Sequence, residues 1–153
     1  MRNLCAGLAL ALAGLGPAAA AAEETNLSVS GAWISPPPPG VEVAAAYLEL
    51  HNRSAGAATL VQVTSPRCKS VEFHRSVVRN GVASMSRQDS VTIPAGADLN
   101  LIPGDYHLML FRPSPPLQPG ESVPLTFEFS DGTVLNAAAM VRRPEAADDA
   151  HVH

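Results

Sequence analysis

Four side chains that can bind soft metal ions lie in the middle of this 153-residue chain. They are His74, Met85, His107 and Met109. Between Arg53 and Ala139 the sequence contains no other histidine or methionine. Thioether and imidazole groups are soft to borderline ligands, and together they favour Cu(I). This set of side chains therefore predicts a copper site.

A two-residue hairpin would bring the first two of these side chains together. Asn80-Gly81 suits a type I′ turn, in which both central residues adopt positive φ. Counting outward from this turn places Ser76 opposite Met85 and makes His74 a diagonal neighbour of Met85, at about 7–8 Å. Because a slip of one residue would turn the side chains to the other face, the turn is part of the predicted site.

The other two candidate ligands, His107 and Met109, lie two residues apart on one predicted strand. Side chains alternate between the faces of a strand, so both should point to the same side, about 7 Å apart. In the strand that carries His74, the apolar residues Val71 and Phe73 face the opposite way. Both strands are thus predicted to present ligands away from the core, but the sequence does not show whether the two strands meet.

The elements that must position these ligands are short β-rich runs separated by Gly, Pro, Asn and Asp, with no amphipathic helix of useful length. This pattern predicts an all-β sandwich or barrel. Asp131-Gly132 predicts a second type I′ turn, and the proline-rich segments 36–40 and 113–120 predict exposed loops. The predicted strands are 27–34, 45–51, 59–64, 70–79, 82–87, 90–93, 98–101, 106–112, 122–129 and 133–141.

The first 22 residues have the pattern of a secretory signal peptide. Arg2 precedes an apolar run, and Ala20-Ala21-Ala22 satisfies the small-residue rule for cleavage. Cys5 precedes the apolar run, which argues against a lipid-anchored cysteine at the cleavage point. No later segment is long enough to span a bilayer. We therefore expect an exported, soluble domain over residues 23–143, followed by a flexible tail over residues 144–153.

Charge and cysteine content narrow the function further. Arg2 is the only charged residue that cleavage after residue 22 would remove, which leaves nine basic and 14 acidic side chains. This negative net charge argues against nucleic acid or an anionic membrane as a partner. Cys68 would then be the only cysteine, so an intrachain disulfide is excluded. A buried thiol is expected, with an extra copper ligand or an exchange thiol as the alternatives. No hydrolase or paired-acid motif is present, so no enzyme activity is expected.

The tail combines the carboxylates of Asp148 and Asp149 with the imidazoles of His151 and His153. Hard oxygens with imidazole nitrogens suit Cu(II) or Zn(II) rather than Cu(I). We therefore hypothesise a second, weaker Cu(II) site at His151 and His153. The alternative is a solvated, disordered end without metal.

The spacing His-x10-Met-x21-His-x-Met resembles the motif of the periplasmic copper chaperone PCu(A)C family, with all four candidate ligands in motif positions. The resemblance covers residues 27–141 and includes segments 32–33, 43–48, 71–74, 93–96 and 103–110. The chain departs from the pattern at His74-Arg75-Ser76, where relatives often carry an acidic residue and sometimes another methionine. Arg75 and Arg87 are instead expected to place positive charge beside the metal.

The resemblance implies a cupredoxin-like Greek-key β-sandwich or barrel and one Cu(I) ion per chain. It also implies a periplasmic metallochaperone that delivers copper to the CuA centre of cytochrome c oxidase subunit II, directly or with a Sco-type thiol protein. Copper storage, buffering or tolerance stays open, as does a metal-free β-sandwich binding module. An electron-transfer cupredoxin is poorly supported, because the thiolate of a His2Cys set is missing from the required place.

Overall fold

Ten strands make up the part of the chain that this computed structural model describes, residues 26–143. All ten predicted strands are present, each within two residues of its predicted ends. This range contains no helix, and hence none that is long and apolar enough to cross a membrane. The strands are β1 (Leu27–Ser35), β2 (Val43–Asn52), β3 (Ala58–Thr64), β4 (Cys68–Arg79), β5 (Val82–Gln88), β6 (Val91–Ile93), β7 (Asp98–Leu101), β8 (Tyr106–Pro113), β9 (Ser122–Phe129) and β10 (Val134–Val141).

The strands form one hydrogen-bonded path in the order β5-β4-β8-β2-β1-β10-β9-β3-β6, and β7 adds to β2. The pair β1 and β10 is parallel, whereas the other pairs are antiparallel. The path curls on itself, since β3 also packs close to β4. The predicted all-β sandwich or barrel is thereby confirmed.

The core lies inside this curl and decides which way β8 faces. Leu108 and Leu110 are fully buried, together with Phe127 of β9. Burial of each leucine side chain contributes about 1.5–3 kcal/mol. Because side chains alternate along a strand, burial of these two leucines turns His107 and Met109 to the outer face.

The hairpin between β4 and β5 has the predicted type I′ turn. Asn80 and Gly81 adopt φ of 52° and 77°, and Arg79 pairs with Val82. Ser76 is therefore opposite Met85, as the sequence predicted.

The second predicted type I′ turn is wrong. Gly132 has a positive φ of 87°, but Asp131 is not among the residues with positive φ. The loop instead contains three residues, and the Phe129 N–H donates to the Thr133 carbonyl at 2.9 Å. The Asp131 carboxylate accepts a hydrogen bond from the Thr133 N–H at 2.9 Å. That side-chain bond favours a type I turn followed by a glycine bulge over a two-residue turn.

Two proline-rich connections join the strands near the far end of β8. Residues 36–42 link β1 to β2, and residues 114–121 link β8 to β9. Most of their residues are exposed, as predicted. Because proline cannot donate to a strand ladder, these segments end the flanking strands and leave the opposite end of β8 to carry His107.

Candidate metal centre

The pairing of β4 with β8 brings the two predicted halves of the site together. His74 is directly opposite His107, and their ring centroids are 6.1 Å apart. Two positions further along, Glu72 is opposite Met109. The sequence left open whether these strands meet, and the register now places both histidines and Met109 on one outer face.

Met85 approaches the same point from β5, on the far side of β4. Its Sδ atom lies 3.2 Å from Nε2 of His107. The other ring nitrogen of His107, Nδ1, lies 2.8 Å from the backbone carbonyl oxygen of Asp105. A carbonyl can only accept, so Nδ1 carries the proton and Nε2 of the neutral ring has a free electron pair. Two electron-pair donors therefore face each other, which is the arrangement that a soft cation between them would stabilise.

His74 presents a second free electron pair. Its Nε2 donates to the Glu72 carboxylate at 2.9 Å, which leaves Nδ1 unprotonated in the neutral ring. Among the described residues, this Nδ1 is the one buried side-chain nitrogen or oxygen without a hydrogen-bond partner. Leaving such a group unsatisfied costs about 1–3 kcal/mol, so a buried orphan needs an explanation. Metal ligation supplies one.

Met109 flanks this pair of histidines. It is half-buried, two residues along β8 from His107, and its neighbours in the ladders are Glu72 on β4 and Ala45 on β2. Residues two apart on a strand are separated by about 7 Å, within reach of a long thioether side chain. The fold thus assembles all four predicted ligands on one face of three adjacent strands.

Aromatic side chains close the site on the β2 side. The Tyr47 ring centroid lies 6.5 Å from that of His107, and the Trp33 ring lies 4.7 Å beyond Tyr47. Arg142 stacks over Trp33 at 4.5 Å. Burial raises the pKa of Tyr47. The spacing of the candidate ligands does not point to these aromatic residues, although Trp33 and Tyr47 lie in the segments that carry the family resemblance.

Comparison with known proteins shows the family of this chain. Residues 27–141 match the family described as "Putative lipoprotein LpqE-like". A protein of Leifsonia xyli subsp. xyli, "Putative lipoprotein Lxx21020", is 34% identical over 125 residues, which are 81% of this chain and 74% of that protein. The chain belongs to this LpqE-like, PCu(A)C-type family.

Solved structures confirm the cupredoxin-like β fold of this PCu(A)C-type chain. The structure "Copper-bound PCuAC domain from PmoF2" superposes with a TM-score of 0.66 at 23% identity, over 78% of this chain and 94% of that domain. "Solution structure of CuI-DR1885 from Deinococcus Radiodurans" gives a TM-score of 0.63 at 31% identity and covers 83% of each chain.

The arginines beside the PCu(A)C-type site are neutralised more than the sequence suggested. Arg87 Nη1 lies 3.4 Å from the Glu72 carboxylate, the same group that holds His74. Arg75 Nε lies 3.1 Å from the Asp105 carboxylate, and its guanidinium stacks over Tyr106. Two ion pairs therefore reduce the expected excess of positive charge beside the candidate site.

The remaining donors of the PCu(A)C-type domain do not build a site for a hard ion. Within residues 26–143, no three His, Cys, Asp or Glu side chains converge on a common point. Cys68 begins β4 and lies six residues from His74, which is about 20 Å along a strand. It packs against the core, and burial raises the pKa of its thiol. Cys68 therefore does not join the four candidate ligands.

Met140 is separate from the candidate site, and the predicted tail ligands lie outside the described residues. Met140 is 46% exposed, because it pairs with Trp33 on the outer face of β10. The proposed tail ligands His151 and His153, like the predicted signal peptide, lie outside the described residues.

The structure of this PCu(A)C-type domain contains a polar network around His51 that was not predicted from the sequence. Nε2 of His51 lies 2.7 Å from Ser30 Oγ, and its Nδ1 lies 2.8 Å from the Asp98 carboxylate. Arg53 also pairs with Asp98, at 2.7 Å. Hydrogen bonding from His51, with a further contribution from Arg53, lowers the pKa of Asp98. The network connects β1, β2 and β7, and no local sequence pattern predicts it.

Proposed function

We propose that this protein binds one Cu(I) ion through His74, Met85, His107 and Met109 and carries it through the periplasm. The main support is that each of the two imidazoles has a nitrogen with a free electron pair. Nε2 of His107 faces the Met85 sulfur, and Nδ1 of His74 is buried without a hydrogen-bond partner. The relative from Deinococcus radiodurans, 31% identical, has been solved in a Cu(I) form. This relative supports the oxidation state proposed here.

The ligand set suits transport better than permanent retention. Thioethers have no proton to lose, so only the two histidines must be neutral for copper to bind. Without a thiolate, the site should hold Cu(I) less tightly than a cysteine-based site. Transfer to a cysteine-rich acceptor would then run downhill, which is the property that a chaperone needs.

The acceptor that we propose is the CuA centre of cytochrome c oxidase subunit II, reached directly or with a Sco-type thiol protein. The proposal rests on the family resemblance and on the predicted export signal in residues 1–22. A relative named as a lipoprotein supports a location in the cell envelope. Periplasmic copper storage or buffering is the alternative, and in neither case do we propose an enzymatic reaction.

Two experiments test this proposal. X-ray absorption of the Cu(I)-loaded chain should show both sulfur and nitrogen scatterers, and a spectrum without sulfur would refute the ligand set. Anaerobic mixing with an apo CuA domain, with and without a reduced Sco-type protein, should move Cu(I) to the acceptor. Oxidation of the separated acceptor by ferricyanide should then produce the CuA absorption. Stable retention of copper in both mixtures would favour storage.

We also propose a weaker Cu(II) site formed by His151 and His153. Its support is the chemistry of the tail alone, in which two imidazoles follow two carboxylates. Truncation after Pro144 should lower the Cu(II) stoichiometry without changing Cu(I) binding. An unaltered Cu(II) stoichiometry would remove this site from the proposal.

A further inference from the structure

The hairpin formed by β4 and β5 carries an exposed apolar strip that runs into the metal centre. β5 is the terminal strand of the sheet path, and residues 82–87 are all exposed. Val78 is 69% exposed and Met85 is 52% exposed. Val78 is opposite Ala83, and Ser76 is opposite Met85, so this strip lies on the same face as His74.

The charge of the hairpin differs in sign from that of the whole chain. Residues 73–87 contain three arginines and no acidic residue, although the chain has a formal net charge of −4. Arg75 and Arg87 are paired with carboxylates, whereas Arg79, at the turn, forms no ion pair with any described residue. The end of the hairpin that carries Arg79 is therefore basic and would attract an acidic surface of another protein. The rest of the chain, which is acidic, would repel such a surface.

The proposed ligands differ in how accessible they are to a partner protein. His107 is 7% exposed and is covered by Met85, whereas Met85 itself is open to solvent. A group that arrives from another protein would therefore meet the metal on the Met85 side. The apolar strip lies on this side, and Arg79 lies at the end of the strip, next to the turn.

We propose that the face of the β4–β5 hairpin formed by Val78, Ala83 and Met85, with Arg79 at its end, is the docking surface for the copper acceptor. The partner that it fits is a protein with a thiolate copper site in an apolar patch bordered by carboxylates. Once docked, the partner's thiolate forms a Cu–S bond as the Cu–S bond to Met85 breaks. Copper stays Cu(I), and a proton is released only if the incoming thiol was protonated.

This inference rests on the proposed copper-carrier function, so the test separates binding from docking. Arg79→Glu and Val78→Ser alter the surface without changing a ligand. Lys69→Glu, at the other end of β4, and Val134→Ser, an exposed valine of β10, are the matched controls. Copper loading is measured by competition with bicinchoninate, and transfer is followed by stopped flow to an apo CuA domain and to a reduced Sco-type protein.

All four variants should bind one copper ion and release it to bicinchoninate to the same extent as the wild type. Arg79→Glu should slow transfer to the protein acceptor on the order of ten-fold at low salt and weaken its salt dependence. Val78→Ser should slow transfer at every salt concentration, and the controls should match the wild type. Loss of copper binding in the wild type would count against the carrier function. Normal loading with transfer rates unchanged, or reduced equally in the controls, would overturn the docking surface.

Discussion

Glu72 is predicted to set the copper affinity although it is not one of the proposed ligands. Its carboxylate accepts a hydrogen bond from Nε2 of His74 at 2.9 Å and also pairs with Arg87 at 3.4 Å. The first contact fixes which nitrogen of His74 carries the proton and leaves Nδ1 free for a metal. Replacing Glu72 by leucine removes this orientation and at the same time frees the positive charge of Arg87.

The size of the effect follows from the type of contact that is lost. Removing the hydrogen-bond partner of a metal-bound histidine typically lowers metal affinity 10- to 100-fold, about 1.4–2.7 kcal/mol. Glu72→Gln should cost less, because its amide oxygen can still accept from Nε2. A charge-assisted hydrogen bond is roughly twice as strong as a neutral one, so about half of the free energy should remain.

The assay is anaerobic competition for Cu(I) with bicinchoninate. Glu121→Leu is the matched control, because Glu121 also pairs with an arginine, Arg67, at 3.2 Å but does not contact a proposed ligand. The expected order of affinity is wild type, Glu72→Gln, Glu72→Leu, with the control equal to wild type. Unchanged affinity in Glu72→Leu would refute the role of this contact, and an equal loss in Glu121→Leu would show that the effect is not specific.

Three further predictions concern the ligands, the fold and its pH dependence. Met109→Leu should retain the melting temperature and sharply lower Cu(I) affinity, whereas Met140→Leu should change neither; loss of folding would instead make Met109 a core residue. Gly81→Ala should cost about 1–2 kcal/mol in urea unfolding, because φ is 77° there, whereas Gly56→Ala should be tolerated. Since the pKa of Asp98 is lowered on folding, its stabilising effect should vanish as pH falls through the folded-state pKa; Asp98→Asn should therefore flatten the decline of stability below about pH 5.

The sequence predicted those parts of the fold and site that are decided locally. All ten strands follow from short runs of β-forming residues, and the register of His74 against Met85 follows from one turn with two positive φ angles. The outward direction of His107 and Met109 follows from alternation with two buried leucines. Each of these features depends on residues within one strand or one hairpin.

Other features depend on contacts between distant segments and could not be predicted in this way. The partnership of β4 and β8 joins residues more than 30 positions apart, as in the pair His74 and His107. The His51 network needs β1, β2 and β7 in place before its members meet. At Asp131, a side-chain hydrogen bond outweighed the dipeptide preference for a type I′ turn. Met140 is exposed because its register beside Trp33 puts it on the outer face.

The four proposed ligands divide into an anchored pair and an exchangeable pair. One nitrogen of each imidazole is hydrogen-bonded within the protein. His107 donates to the Asp105 carbonyl and His74 to the Glu72 carboxylate, so both rings are oriented before a metal binds. Neither thioether has a comparable second hydrogen-bonding group, and Met85 lies on the exposed terminal strand. The rigid side of the site can therefore select the ion by geometry, while the thioether side can yield to an incoming thiolate without rearrangement of the core. Met85 is exposed and His107 is buried, so the proposed site would hold copper on one side and release it on the other. A ligand set enclosed in the core of the sheet would not allow this release.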